Sequence, residues 1–96
     1  MVNIIGAGLA GLSAAITLAE KGISCNLVSN YPSERAQSVM AEGGINGALD
    51  TMGEGDNVEN HFADTMKAGG DIADEAAVRG LTNAAPEIIR YLGGLG

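Results

Sequence analysis

The sequence predicts an α/β fold built on one parallel strand, helix, strand unit, and three observations carry that reading. A run rich in β-branched residues, Val2 to Ile5, opens the chain and suits a buried strand. Gly6, Gly8 and Gly11 then lead into an apolar segment of helical period. A second apolar run through Cys25, Leu27 and Val28 closes a unit of about 30 residues, the length of a βαβ motif.

Each element has its own justification. The first helix is expected from about Leu9 to Lys21, with Leu9, Leu12, Ile16 and Ala19 on its buried face and Gly22 as its stop. Ala10, Ala14 and Ala15 keep it slim enough to lie on a sheet. The second strand is expected from about Ser24 to Ser29, and parallel pairing with the first requires a right-handed crossover. This is half of a Rossmann-like unit. A polar loop from Ser33 ends in Gly43-Gly44, where the backbone can approach something flat or anionic; Gly-Gly is also a common turn pair.

The last third reads as helical. Asp56 is the expected cap of one helix, with Glu59 reciprocating and Val58, Phe62 and Met66 on one face before Gly69-Gly70. Asp74 caps a further helix to about Asn83, with Val78 and Leu81 inward. Pro86 opens another, buried through Ile88, Ile89 and Leu92 and ended by Gly93, Gly94 and Gly96, with Glu87 and Arg90 on a solvated face.

Composition narrows the function classes. The chain has 96 residues, 46% of them hydrophobic and much of that alanine, so its core is modest and built from small side chains. A formal net charge of −7 with five basic residues argues against nucleic acid, since phosphate neutralisation needs clustered Lys and Arg. No apolar run reaches the roughly 20 residues of a spanning helix, and Met1 leads straight into the strand without a leader, so no transmembrane segment and a cytoplasmic location are expected. The single cysteine, Cys25, excludes an internal disulfide, fits a reducing compartment and reads as a small buried hydrophobe. His61 alone on a helix reads as a packed side chain rather than a base, and no metal-ligand cluster is expected.

The glycines give the first binding expectation. In a dinucleotide fingerprint Gly6 permits the tight turn, Gly8 lets backbone approach a pyrophosphate, so that a side chain there would occupy the ligand's space, and Gly11 lets helix and strand close up. The free N–H groups and positive dipole end of the next helix seat the phosphates. An acid about 20 residues on would bind a ribose, but Ser29 and Asn30 stand at the end of the second strand. NAD is thereby weakened without being excluded, and NADP would need Arg35 as its cation.

Read together, Gly6-Ala7-Gly8-Leu9-Ala10-Gly11, Met40 to Leu49, His61 to Thr65, Ala68 to Asp71, Ala85-Pro86 and Gly96 resemble the flavoprotein subunits of the fumarate reductase and succinate dehydrogenase family, over essentially the whole chain. The resemblance implies FAD, with the pyrophosphate on Gly6, Ala7, Gly8, Leu9, Ala10 and Gly11, and Ser29 beside the adenosine with Asn30. It also implies a loop of Arg35, Gln37, Ser38, Ala41, Glu42, Gly43 and Gly44 lying along the flavin. Many family members join a loop histidine covalently to the flavin; gapless alignment puts Gln37 there, which implies non-covalent FAD and favours fumarate reduction. L-aspartate oxidase, a relative with non-covalent FAD, is the alternative; Ile45-Asn46 leans toward the fumarate and succinate branch. His61, Asp64 and Thr65 would form a structural or cofactor-proximal polar cluster.

For the whole protein the resemblance implies an oxidoreductase moving a hydride between flavin and a C4 dicarboxylate, an iron-sulfur electron-transfer subunit as partner, and peripheral placement at the inner face of a membrane through such partners. Residues 1–96 then read as the N-terminal part of the FAD-binding domain with the capping and substrate domain absent, so no residue here is expected to be catalytic. Two strands are too few for a finished doubly wound sheet, so exposed strand edges and self-association of the piece are expected. A nucleotide-binding or interaction module without turnover is the remaining class.

Overall fold

The computed structural model describes residues 1–96, which form two compact units, Met1–Gly44 and Ile45–Gly96. In the first, β1 (Val2–Ile5), α1 (Leu9–Glu20) and β2 (Cys25–Val28) make the expected βαβ motif, followed by a 3-10 turn at Ser33–Arg35 and a single helical turn, α2 (Gln37–Met40). β1 and β2 pair in parallel with Val2 opposite Cys25 and Ile5 opposite Val28, and Asn26 Nδ2 donates to Asn3 Oδ1 across the pair at 3.1 Å. The polar loop expected from Ser33 is thus partly wound into turns.

Glycine contacts set how α1 lies on the sheet. A Cβ on Gly11 would overlap the Gly6 carbonyl oxygen and come within 3.4 Å of Ile4 Cγ2, so only glycine allows this approach. Of the expected face Leu12 is part-buried, with Gly11, Ala15 and Leu18 beside it, whereas Leu9, Ile16 and Ala19 are exposed, in keeping with an approach made through Gly11. Gly22, at φ +70°, turns the chain out of α1, and the Ile23 N–H returns to Leu18 O at 2.9 Å. Cys25 is half-buried rather than buried. The sheet face bearing Ile5 and Val28 is open, with Ile5 90% exposed.

The second unit is a helical hairpin, α3 (Val58–Gly69) and α4 (Glu75–Gly94), joined by a 3-10 turn at Gly70–Ile72. Asn57, not Asp56, caps α3, accepting the Asn60 N–H at 2.9 Å. Asp56 is drawn into the preceding loop: its N–H donates to Asp50 Oδ1 at 3.0 Å, and its own Oδ1 accepts the Asn57 N–H. Glu59 pairs with Arg79 of α4 at 2.6 Å instead of reciprocating a cap, and the Arg79 guanidinium lies 3.6 Å over the Phe62 ring. Val58, Phe62 and Met66 lie on the covered face as expected, together with His61 and Thr65.

α4 is one helix where two were expected. Asp74 caps it, accepting the Ala77 N–H at 2.9 Å, but it runs through Pro86. Asn83, Ala84 and Ala85 offer no stop, and proline's fixed φ is itself helical, so the cost is one lost hydrogen bond and crowding at the Thr82 carbonyl. Packing on α3 outweighs it. Thr82 is fully buried, its hydroxyl donating to Val78 O at 3.0 Å. The covered stripe is Val78, Thr82, Ala85, Ile89 and Leu92; Leu81 and Ile88, expected inward, are 64% and 48% exposed. Gly93 and Gly94 belong to the last turn rather than ending the helix. No helix is long and apolar enough to cross a membrane.

Candidate cofactor site

The site is assembled at the carboxyl ends of β1 and β2, where ligands of open α/β sheets bind. The Gly6 N–H extends the ladder by donating to Val28 O at 2.8 Å, and Gly6 then turns at φ +111°, a conformation reserved for glycine. Ala7 is buried at 6% exposure, and Gly8 stands extended at the N-cap of α1 with no side chain to offer the helix. The first N–H groups of α1, on Leu9, Ala10 and Gly11, have no intrahelical carbonyl to reach.

One of those N–H groups is claimed from far along the chain. Leu9 N–H donates to Ser38 Oγ at 2.8 Å, across 29 residues of sequence. Ser38 can come so close because Gly8 has no side chain: a Cβ there would sit 2.7 Å from Ser38 Oγ and 3.8 Å from the Cβ of Ala36, itself buried at 5% exposure. Besides the ligand space expected beside Gly8, a side chain there would meet the serine of α2. Because its oxygen accepts from Leu9, the Ser38 hydroxyl keeps its proton for another acceptor. The helix terminus is thus extended by one donor rather than closed.

Ser29 and Asn30 line an open cleft of about 450 Å³ with Ala7, Tyr31, Pro32 and Ser33, directly beyond the strand ends. Ser29 Oγ faces the Tyr31 N–H at a long 3.5 Å. Arg35 closes the 3-10 turn, with its N–H on Pro32 O at 2.9 Å, and Gln37 begins α2 beside Ser38; both are exposed. Ala41, Glu42, Gly43 and Gly44 continue as irregular, exposed backbone. A Cβ on Gly43 or Gly44 would meet nothing within 4 Å, and Gly44 at φ +79° needs to be glycine. Of the expected loop residues, Ser38 is brought onto the fingerprint by a hydrogen bond; Arg35, Gln37 and Glu42 have none to it. The part played by Ser38 as partner of α1, and that of Ala36 as packing over Gly8, were missed from sequence because neither position carries a capping pattern linked to Leu9.

A βαβ turn that exposes helix N–H groups at the carboxyl ends of parallel strands defines a dinucleotide-binding domain. A family profile described as FAD binding domain matches residues 2–96, and the chain belongs to that family. It is 46% identical over 95 residues to the succinate dehydrogenase flavoprotein subunit of Bacillus subtilis (strain 168), a match covering 99% of this chain and 16% of the relative. It is 39% identical over 95 residues to the fumarate reductase flavoprotein subunit of Helicobacter pylori (strain 26695), covering 97% and 13%. An L-aspartate oxidase of Pyrococcus horikoshii is 41% identical over 91 residues, covering 95% and 19%. The chain thus spans less than a fifth of the length of these relatives. The cofactor is FAD, and the residues present fit it: the exposed α1 donors, the unspent Ser38 proton and the side-chain-free backbone at Gly43 and Gly44 suit a pyrophosphate with a flat ring beyond it.

Proposed function

We propose that residues 1–96 are the N-terminal part of the FAD-binding domain of a flavoprotein that interconverts fumarate and succinate, working mainly as a fumarate reductase with FAD held non-covalently. The observation that carries the reading is the bond from Leu9 N–H to Ser38 Oγ, which fastens the Ser33–Gly44 segment to the pyrophosphate seat. FAD, when bound, supplies the two-electron redox chemistry. The chain's own residues bind and orient it. Gly6, Ala7, Gly8, Leu9, Ala10 and Gly11 hold the pyrophosphate, with Ser38 adding its hydroxyl proton. Ser29 and Asn30 take the adenosine side, in their cleft beyond β2. Arg35 and Gln37 flank the segment, and the backbone of Ala41, Glu42, Gly43 and Gly44 runs along the flavin. No catalytic role is assigned within the chain.

Gln37 supports the non-covalent attachment, because a carboxamide cannot make the histidyl linkage. Substrate is a C4 dicarboxylate, and the flavoprotein works with an electron-transfer partner subunit, in line with relatives that are named as subunits. The likeness to L-aspartate oxidase favours a second reading in which L-aspartate is the reductant. Anaerobic spectra of the flavin-loaded protein separate the two. Bleaching by succinate and recovery of colour with fumarate are expected; bleaching by L-aspartate and not by succinate would overturn the first reading in favour of the second.

A further inference from the structure

Just beyond the carboxyl end of β2 stands the one aromatic side chain of the Met1–Gly44 unit. Tyr31 is 51% exposed, and the other aromatic residues, Phe62 and Tyr91, belong to the second unit. Tyr31 walls two clefts, sharing each with Ser29 and Asn30: one of about 450 Å³ that reaches Ala7 and Leu27, the other of about 170 Å³ that reaches Ile5 and Val28. The two open on opposite faces of the sheet. Leu27 pairs with Ile4, whose Cγ2 would be 3.4 Å from a Cβ on Gly11 of α1, whereas Val28 pairs with Ile5 on the open face. Tyr31 therefore stands across the end of the sheet, and the larger cleft is on the side of α1 and its free N–H groups.

No carboxylate lines that cleft, so ribose hydroxyls meet only neutral partners at Ser29 and Asn30. Hydrogen bonds between neutral groups are weaker than those to an ionised one, which leaves the tyrosine ring as the largest contact the cleft offers a flat base. The backbone of Tyr31 is fixed before any ligand arrives. Pro32 follows at φ −57° and opens the 3-10 turn, and Ala36, which is buried, closes it with its N–H on Ser33 O at 3.0 Å. Proline also confines the residue before it to extended backbone. Two residues past Ala36, Ser38 accepts the Leu9 N–H. We propose that Tyr31 is an adenine-binding residue: its ring stacks on the adenine of FAD in the larger cleft and so sets affinity for the ADP half of the cofactor. The inference rests on the proposed placement of the adenosine at Ser29 and Asn30. A stacking surface held in place costs little ordering when the ligand binds.

The test uses the apoprotein prepared from the flavin-loaded protein, titrated with FAD by fluorescence quenching, with ADP and inorganic pyrophosphate as competitors. Tyr31→Ala is expected to raise the dissociation constants of FAD and ADP by the same factor, about tenfold, and to leave that of pyrophosphate unchanged. Tyr31→Phe and Tyr31→Trp, which keep a ring, are expected to stay within about twofold of wild type. In transferred Overhauser spectra of ADP, adenine H2 and H8 are expected to cross-relax with tyrosine ring protons, and Tyr31→Ala to remove the signal. Equal ADP affinity for wild type and Tyr31→Ala, an equal loss for pyrophosphate, or no contact between adenine and tyrosine would each overturn the inference. Ser29→Leu, which fills the cleft, separates it from the reading beneath it. If that change weakens ADP while Tyr31→Ala does not, the stacking alone fails; if Ser29→Leu leaves ADP affinity unchanged, the adenosine placement fails and the stacking with it.

Discussion

Leu9 and Ser38 meet at 2.8 Å, the backbone N–H at the start of α1 donating to the hydroxyl of α2. The contact is worth about 1 kcal/mol as a helix cap, and in the proposed FAD seat the serine proton would be available to a phosphate oxygen. Ser38→Ala is therefore expected to weaken FAD about tenfold, with Ser38→Thr close to wild type. FAD titration of the apoproteins checks it. Equal affinities for wild type and Ser38→Ala would remove the serine from the site.

The fingerprint glycines differ in what surrounds them. Gly11→Ala drives a Cβ into the Gly6 carbonyl, where backbone must move, and a loss of more than about 3 kcal/mol is expected with FAD binding abolished. Gly8→Ala meets only the Ser38 hydroxyl and Ala36 methyl, so it should cost about 1 kcal/mol and lower FAD affinity much as Ser38→Ala does. Denaturant unfolding of the two variants should rank them in that order.

In the proposed site Gln37 leaves the flavin unlinked. Acid precipitation of the flavin-loaded protein should give a yellow supernatant over a colourless pellet. Colour held in the pellet would mean a covalent bond at another residue.

Capping of α3 belongs to Asn57. Asn57→Ala is expected to destabilise the protein by about 1 kcal/mol, seen as a lower melting temperature. Asp56→Asn, which keeps an acceptor for the Asn57 N–H, should change it little.

Pro86 withholds a hydrogen bond from the Thr82 carbonyl in the middle of α4. Pro86→Ala restores the donor and relieves crowding, at some cost in unfolded-state entropy, for a net gain of about 1 to 2 kcal/mol. A fall in melting temperature would show that the proline matters to the hairpin in another way.

The sequence by itself determined the βαβ unit, because strand, glycine turn and helix are local patterns: Gly6 must take a positive φ, and Gly22 ends α1 where the apolar period stops. It also located Ser29 and Asn30 at the end of β2, and its family resemblance is matched by the FAD-binding family to which the chain belongs. Tertiary structure decided what depends on contacts between distant positions. The face that α1 buries follows from the approach of Gly11 to Gly6 and Ile4, which apolar spacing cannot report, so Ile16 lies exposed and Ala15 covered. Asn57 displaced Asp56 as a cap because Asp50 engages the Asp56 backbone. Pro86 remained inside α4 because packing against α3 outweighs its local cost. The bond between Leu9 and Ser38 could be found only in the fold: a hydroxyl 29 residues away carries no periodic signal, and chain folding alone sets it on the helix terminus.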